Sequence, residues 1–200
     1  MQEMLQSFTV GLRQTTTLEF VAVAFGLISV YFILREKILG YPAGLVNVGS
    51  YVYLCFHAGL FANMGINMFY FMMSVYGWYN WARKRGGQTT LHVTRLSLRG
   101  RLFALLATAV MFVPLWWLLG CFPESSSPAF DALTTAIFIV AMWLQATKRL
   151  ESWLFWIAGD ILAIPLYAFN GLAFTGFQYL AFLGLAITGY FAWKKSIPPA

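Results

Sequence analysis

The 200-residue chain is 60% hydrophobic and only 10% charged, with a mean hydropathy of +0.70. Soluble domains carry about a quarter charged residues. The composition therefore argues against a soluble enzyme, a disordered chain or a nucleic-acid binder, despite a net charge of +6 and a pI near 9.5.

Met1, Met4, Leu5, Phe8 and Leu12 recur at helical spacing, which predicts a short interfacial helix in an external segment, 1–17, rather than a signal peptide. Seven apolar runs of bilayer-spanning length follow. They run from Leu18 to Leu34, Gly40 to His57, Leu60 to Asn80, Leu102 to Gly120, Ala129 to Thr147, Ser152 to Phe169 and Leu172 to Trp193. Tyr41, Trp78, Tyr79, Trp81, Trp116, Trp117, Trp153 and Trp193 gather at the ends of these runs, where amphipathic rings anchor at headgroup level. Cys55 and Cys121 are too few for a disulfide framework and are expected to be small buried hydrophobes.

Arg35 and Lys37 follow the first run, and Arg83, Lys84, Arg85, Arg95, Arg99 and Arg101 follow the third. Lys148 and Arg149 follow the fifth, and Lys194 and Lys195 close the seventh. With seven spans all of these face one side, leaving Arg13 alone on the other. The positive-inside rule then puts the N-terminus outside and the C-terminus in the cytoplasm.

The chain also repeats itself at an offset of 112 residues, without a gap. Gly59-Leu60 recurs as Gly171-Leu172, Gly77 as Gly189 and Trp81 as Trp193, while Glu19 overlies Asp131, Lys37 overlies Arg149, Tyr41 overlies Trp153 and Trp78 overlies Tyr190. The expected fold is an all-α integral membrane protein with seven transmembrane helices in a 3+1+3 arrangement. Two parallel three-helix repeats occupy 18–82 and 129–195, joined by a basic cytoplasmic loop and linker helix over 83–128, with a short tail at 196–200. Parallel repeats about the membrane normal are a transporter plan, with the substrate near the midplane between them.

Asp160 is the one acidic residue well inside a span, where a carboxylate costs roughly 2.5–3.5 kcal/mol on insertion scales. It either holds the sixth helix to a neighbour or lines a substrate route. Trp153, Trp156 and Asp160 fall at i, i+3 and i+7 on one helix face, a receptor for a flat cationic ring, which favours the second reading. Asn47, Asn67, Ser74, Thr134, Thr135, Gln145 and Gln178 are further polar groups within spans, any of which also serves as ordinary interhelical glue. Asn47 and Asp160 correspond, to within one residue, across the repeat. Pro42 and Pro165 supply breaks in backbone hydrogen bonding that suit gating helices or plain kinks. His57 and His92 have no spaced Cys, Asp or Glu around them, and no P-loop, nucleophile elbow or dinucleotide fingerprint occurs. No enzyme activity, cofactor or metal is expected, and transport without an ATP site is secondary or passive.

Arg35-Glu36-Lys37, Gly44-Leu45-Val46-Asn47-Val48, Ile66-Asn67 and Tyr76-Gly77-Trp78-Tyr79-Asn80-Trp81 resemble the N-terminal half of the PnuC vitamin transporters. Glu151-Ser152-Trp153-Leu154-Phe155-Trp156, Asp160, Gln178-Tyr179 and Gly189-Tyr190-Phe191-Ala192-Trp193 resemble its second half, so the likeness covers about residues 18–195. The resemblance implies a fold similar to the SWEET transporters, in a bacterial inner membrane. It also implies facilitated diffusion of nicotinamide riboside or a related vitamin, trapped inside by a cytoplasmic kinase. Family binding positions carried over are Trp153, Trp156, Asp160, Asn47, Asn67, Gln178 and Tyr179. Nicotinamide riboside members typically carry Asn where this chain has Asp160 and Gln where it has Asn67. A carboxylate favours the fixed positive rings of nicotinamide riboside and thiamine equally, with neutral riboflavin, or a sugar of the SWEET type, as alternatives. The expected partners are the vitamin, the lipid bilayer and, as a functional partner, the cytoplasmic vitamin kinase, with no nucleic acid and with a homo-oligomer left open.

Overall fold

The first helix begins where the sequence supplies a cap. Thr16 Oγ1 accepts from the Glu19 backbone N–H at 3.2 Å, while the Glu19 carboxylate accepts from the Thr16 N–H at 2.6 Å, a reciprocal capping box. In the computed structural model, which describes residues 16–83, 91–122, 127–169 and 173–197, this opens α1 (Thr17–Leu34). It is followed by α2 (Gly40–His57), α3 (Phe61–Ala82), α4 (Leu98–Gly120), α5 (Pro128–Ala146), α6 (Ser152–Phe169) and α7 (Ala173–Ser196). The expected N-terminal interfacial helix lies outside the described residues.

These helices have 18 to 24 residues, about 27–36 Å at 1.5 Å per residue, which matches a hydrocarbon core of about 30 Å. Of them α1, α4 and α5 are long and apolar enough throughout to cross a membrane on length and composition alone. The largest boundary difference is at α4, which starts at Leu98 because the Ser97 hydroxyl caps Gly100 N–H at 3.2 Å. Arg99 and Arg101, expected in the loop, therefore sit in its first turn. Arg101 reaches the buried Glu151 at 3.1 Å.

Neighbouring helices pack in the order α1–α2–α3–α5–α6–α7, and α7 returns to α1; α4 stands outside this circuit, against α5. The segment before α4 is stitched to the α5–α6 corner. Thr94 N–H donates to the Lys148 carbonyl at 3.1 Å, Leu150 N–H donates to the Thr94 carbonyl at 3.0 Å, and Leu96 N–H donates to the Glu151 carboxylate at 2.9 Å.

The corners after α1 and α5 are copies of each other. Each helix ends in a Schellman closure: Lys37 N–H donates to Phe32 O and Glu36 N–H to Ile33 O at the first, both 2.9 Å. At the second, Arg149 N–H donates to Leu144 O at 2.9 Å and Lys148 N–H to Gln145 O at 3.0 Å. The left-handed position of this motif usually holds glycine; here Glu36 (φ 56°) and Lys148 (φ 53°) take it instead. Those two residues are 112 apart, and their side chains pair with each other at 3.0 Å.

Behind the ion pair the same offset governs the rings. Tyr41 meets Trp81 edge-on at 5.1 Å and 86°, and Trp153 meets Trp193 at 5.3 Å and 85°. Trp81 Nε1–H donates to Gln145 O at 3.3 Å, and Trp193 Nε1–H donates to Ile33 O at 3.1 Å, each reaching the other copy's helix end. Lys148 Nζ stands 4.5 Å from the Trp81 ring centroid. Gly77 and Gly189 make room for this cluster: a methyl group on the first would collide with the Tyr41 ring, and on the second with Trp153.

Four of the aromatics expected at headgroup level, Tyr41, Trp81, Trp153 and Trp193, are therefore buried in this cluster. The glycines opposite them draw the rings inward. Trp78, Tyr79, Trp116 and Trp117 are exposed, as interface residues should be. Cys55 is buried, but Cys121 is exposed, contrary to expectation, because it caps the outer helix α4 with its thiol donating to Trp117 O at 3.3 Å.

Candidate functional site

The site builds from α6. Trp153, at its first turn, turns into the corner cluster against Gly189 and Trp193, with its indole N–H buried and unpartnered. One turn on, Trp156 packs against the same cluster on one side. Its Nε1–H donates to Gln145 Oε1 at 2.8 Å, which fixes the plane of the ring. Asp160 follows one turn further and is only 3% exposed. It takes no part in the ion pairs Arg101–Glu151 and Lys148–Glu36.

A belt of rings runs from Trp156 across to the first helices. The Trp156 ring lies 5.3 Å from Phe138 on α5, tilted by 31°. Phe138 in turn stacks on Tyr179 of α7 at 6.1 Å and 10°, and Tyr179 meets Phe182 edge-on at 6.2 Å. Phe138 sits on Gly159, the residue before Asp160, where a methyl group would collide with its ring. Phe182 reaches Gly26 of α1, whose other neighbour is Asn47. The Asn47 amide donates to the Ala22 carbonyl at 2.7 Å, tying α2 to α1.

Trp156, Asp160, Tyr179 and Asn47 are thus brought into one belt. Trp153 stands one turn away, in the corner. Gln178 is half-buried beside Tyr179, and no hydrogen bond among the described residues joins it to the belt. Asn67 spends its amide on its own helix, donating to Asn63 O at 2.9 Å. Sequence reasoning missed Phe138 and Phe182, which are indistinguishable from other phenylalanines in an apolar run. It named Gln145 only as a generic polar group. The signal available was the repeat itself, since Phe138 falls on Gly26 and Gly159 on Asn47 at the 112-residue offset.

Two recesses lie elsewhere. One of about 570 Å³ opens between α1 and α7 at Leu27, Tyr31, Gly184 and Thr188. The other, about 300 Å³, lies beside the second corner at Tyr76, His92, Thr94 and Arg149. Chemically, the belt offers stacked aromatic faces and a carboxylate, a combination that holds flat cations. No group of His, Cys, Asp and Glu suited to a metal occurs among the described residues.

Comparison with known proteins agrees with a transporter. The chain is 27% identical to the nicotinamide riboside transporter PnuC of Escherichia coli (strain K12) over 208 residues, covering 90% of this chain and 85% of that protein. It is 29% identical to the riboflavin/roseoflavin transporter RibM of Streptomyces davaonensis over 173 residues, covering 84% and 80%. The crystal structure of the vitamin B3 transporter PnuC superposes with a TM-score of 0.72 at 25% identity, covering 97% of this chain and 88% of that one. The family model described as nicotinamide mononucleotide transporter matches residues 16–195, and the chain belongs to this family of multi-pass membrane transporters.

Proposed function

We propose that this protein carries a cationic aromatic vitamin across the bacterial cytoplasmic membrane by facilitated diffusion, with nicotinamide riboside as the leading substrate. The observation that carries this reading is Asp160, buried one helical turn after Trp156 and next in sequence to Gly159, on which Phe138 sits, with no cationic side chain paired to it among the described residues. A fixed positive ring supplies the missing charge, and the belt supplies stacking area. Thiamine meets the same two requirements and remains the second cation to test. Riboflavin is neutral and gains nothing from Asp160; the likeness to RibM is what favours including it.

The helix circuit supports reading 18–82 and 129–195 as two parallel three-helix units joined through α4, and the matched corners support it further. On this reading Trp153 shapes the end wall of the site, and Asn47, Asn67, Gln178 and Tyr179 face the substrate during the transport cycle. The Lys- and Arg-bearing corners then lie at the cytoplasmic face, with the N-terminus outside. Transport would rock the two units against each other, opening and reclosing the Glu36–Lys148 contact. A cytoplasmic kinase that phosphorylates the vitamin makes uptake unidirectional without a pump.

Liposomes holding the purified protein, with or without vitamin kinase and ATP inside, test this directly. Labelled nicotinamide riboside is expected to accumulate only with kinase and ATP, and merely to equilibrate without them. Accumulation without kinase, driven by a proton or sodium gradient, would overturn facilitated diffusion. Passage of none of the three vitamins would overturn the substrate class.

A further inference from the structure

We infer that Phe138 is the specificity-determining residue that limits how broad a ring system the site accepts. This rests on the vitamin-transport reading above and adds to it the residue that selects among vitamins.

The Phe138 ring touches two aromatics of the belt at once: Trp156 at 5.3 Å with a 31° tilt, and Tyr179 at 6.1 Å and nearly parallel. It therefore covers ring surface on both neighbours against which a flat ligand would otherwise stack. It reaches this place from α5 because Gly159 has no side chain to stand in its way. A ligand approaching Asp160, the next residue of α6, would meet Phe138 already seated there. On this proposal a single charged ring binds with Phe138 in place, whereas a fused polycyclic ring needs the surface that Phe138 covers.

The repeat adds an independent argument. At the same level of the first unit the equivalents are Gly26 on α1 and Asn47 on α2, so the bulky and the small residue have exchanged helices. The first unit presents a hydrogen-bonding amide where the second presents a ring. At the corners, by contrast, the two units keep matching residues in matching contacts, as at Gly77 and Gly189. The exchange of Gly26 and Asn47 for Phe138 and Gly159 lies at the depth of Asp160, where discrimination between ligands would be made.

The test is calorimetric titration of the full-length protein in detergent with nicotinamide riboside and with riboflavin. It compares wild type with Phe138→Ala and Phe138→Leu, with thermal unfolding run alongside to check the fold. Removing the Phe138 ring is expected to shift the affinity ratio toward riboflavin by at least tenfold in Phe138→Ala, and by a smaller factor in Phe138→Leu. Gly159→Ala, which displaces the ring rather than removing it, is expected to weaken nicotinamide riboside without admitting riboflavin. Should Phe138→Ala fail to fold, the leucine variant decides. A ratio that stays within about threefold of wild type in the folded variants overturns the role of Phe138 and leaves the transport reading standing. A wild type that binds neither vitamin overturns the transport reading itself.

Discussion

The corner cluster and the aromatic belt are built from the same pairs of helices, yet they treat the internal repeat in opposite ways. At the corners, residues 112 apart make the same hydrogen bonds, adopt the same left-handed backbone and place their rings at the same angles. Two turns deeper, the first unit has Gly26 and Asn47 where the second has Phe138 and Gly159, and the buried Asp160 stands where the first unit has the buried Val48. An end that joins two like units gains from matching them, because each contact is then made twice. A surface that binds a ligand without symmetry gains from departing from it.

The largest expected effect comes from breaking the symmetric end by charge. Lys148 is almost fully buried at its side chain, and Glu36 about a quarter exposed, so Glu36→Lys leaves two like charges together at the price of about 2–5 kcal/mol. The single substitution is expected to lower the unfolding temperature markedly. The double exchange Glu36→Lys with Lys148→Glu is expected to recover most of the loss, because the two positions share one backbone conformation. Thermal unfolding in detergent measures both, and an exchange no better than the single variant would show that the corners are not interchangeable.

Next in size are Gly77→Ala and Gly189→Ala. Each methyl group would meet an aromatic ring in a filled cluster, and overpacking of this kind costs typically 1–3 kcal/mol. The sharper expectation is equality: the two variants should lose stability by amounts within about 0.5 kcal/mol of each other, the usual scatter between independent sites. A large loss at one glycine and none at the other would break the comparison.

Much of this was legible in the residues. Run lengths and punctuation located all seven helices, because a bilayer-length apolar stretch ends where Gly, Pro or charge interrupts it. Only the start of α4 differs appreciably, because Ser97 caps a first turn that carries Arg99 and Arg101, and arginines of that kind read as loop. The direction of the end-of-helix aromatics was not legible from their position. Trp78 points outward and Trp81, three residues on, points inward, because only Trp81 lies across from Tyr41 and the opposite unit. In the site, Asp160 and Trp156 stood out as rare residue types in an apolar helix. Phe138 did not, because phenylalanine in such a helix carries no chemical signal until its neighbours are known.

On the proposed reading, Asp160 serves the charge of the ligand. Titrating nicotinamide riboside and riboflavin into wild type and Asp160→Asn, which preserves shape and removes the charge, separates that role from a structural one. The variant is expected to lose at least tenfold in affinity for the cation, about 1.4 kcal/mol, with riboflavin binding and thermal stability unchanged. Undiminished binding of the cation by Asp160→Asn would show that the carboxylate does not serve the ligand's charge.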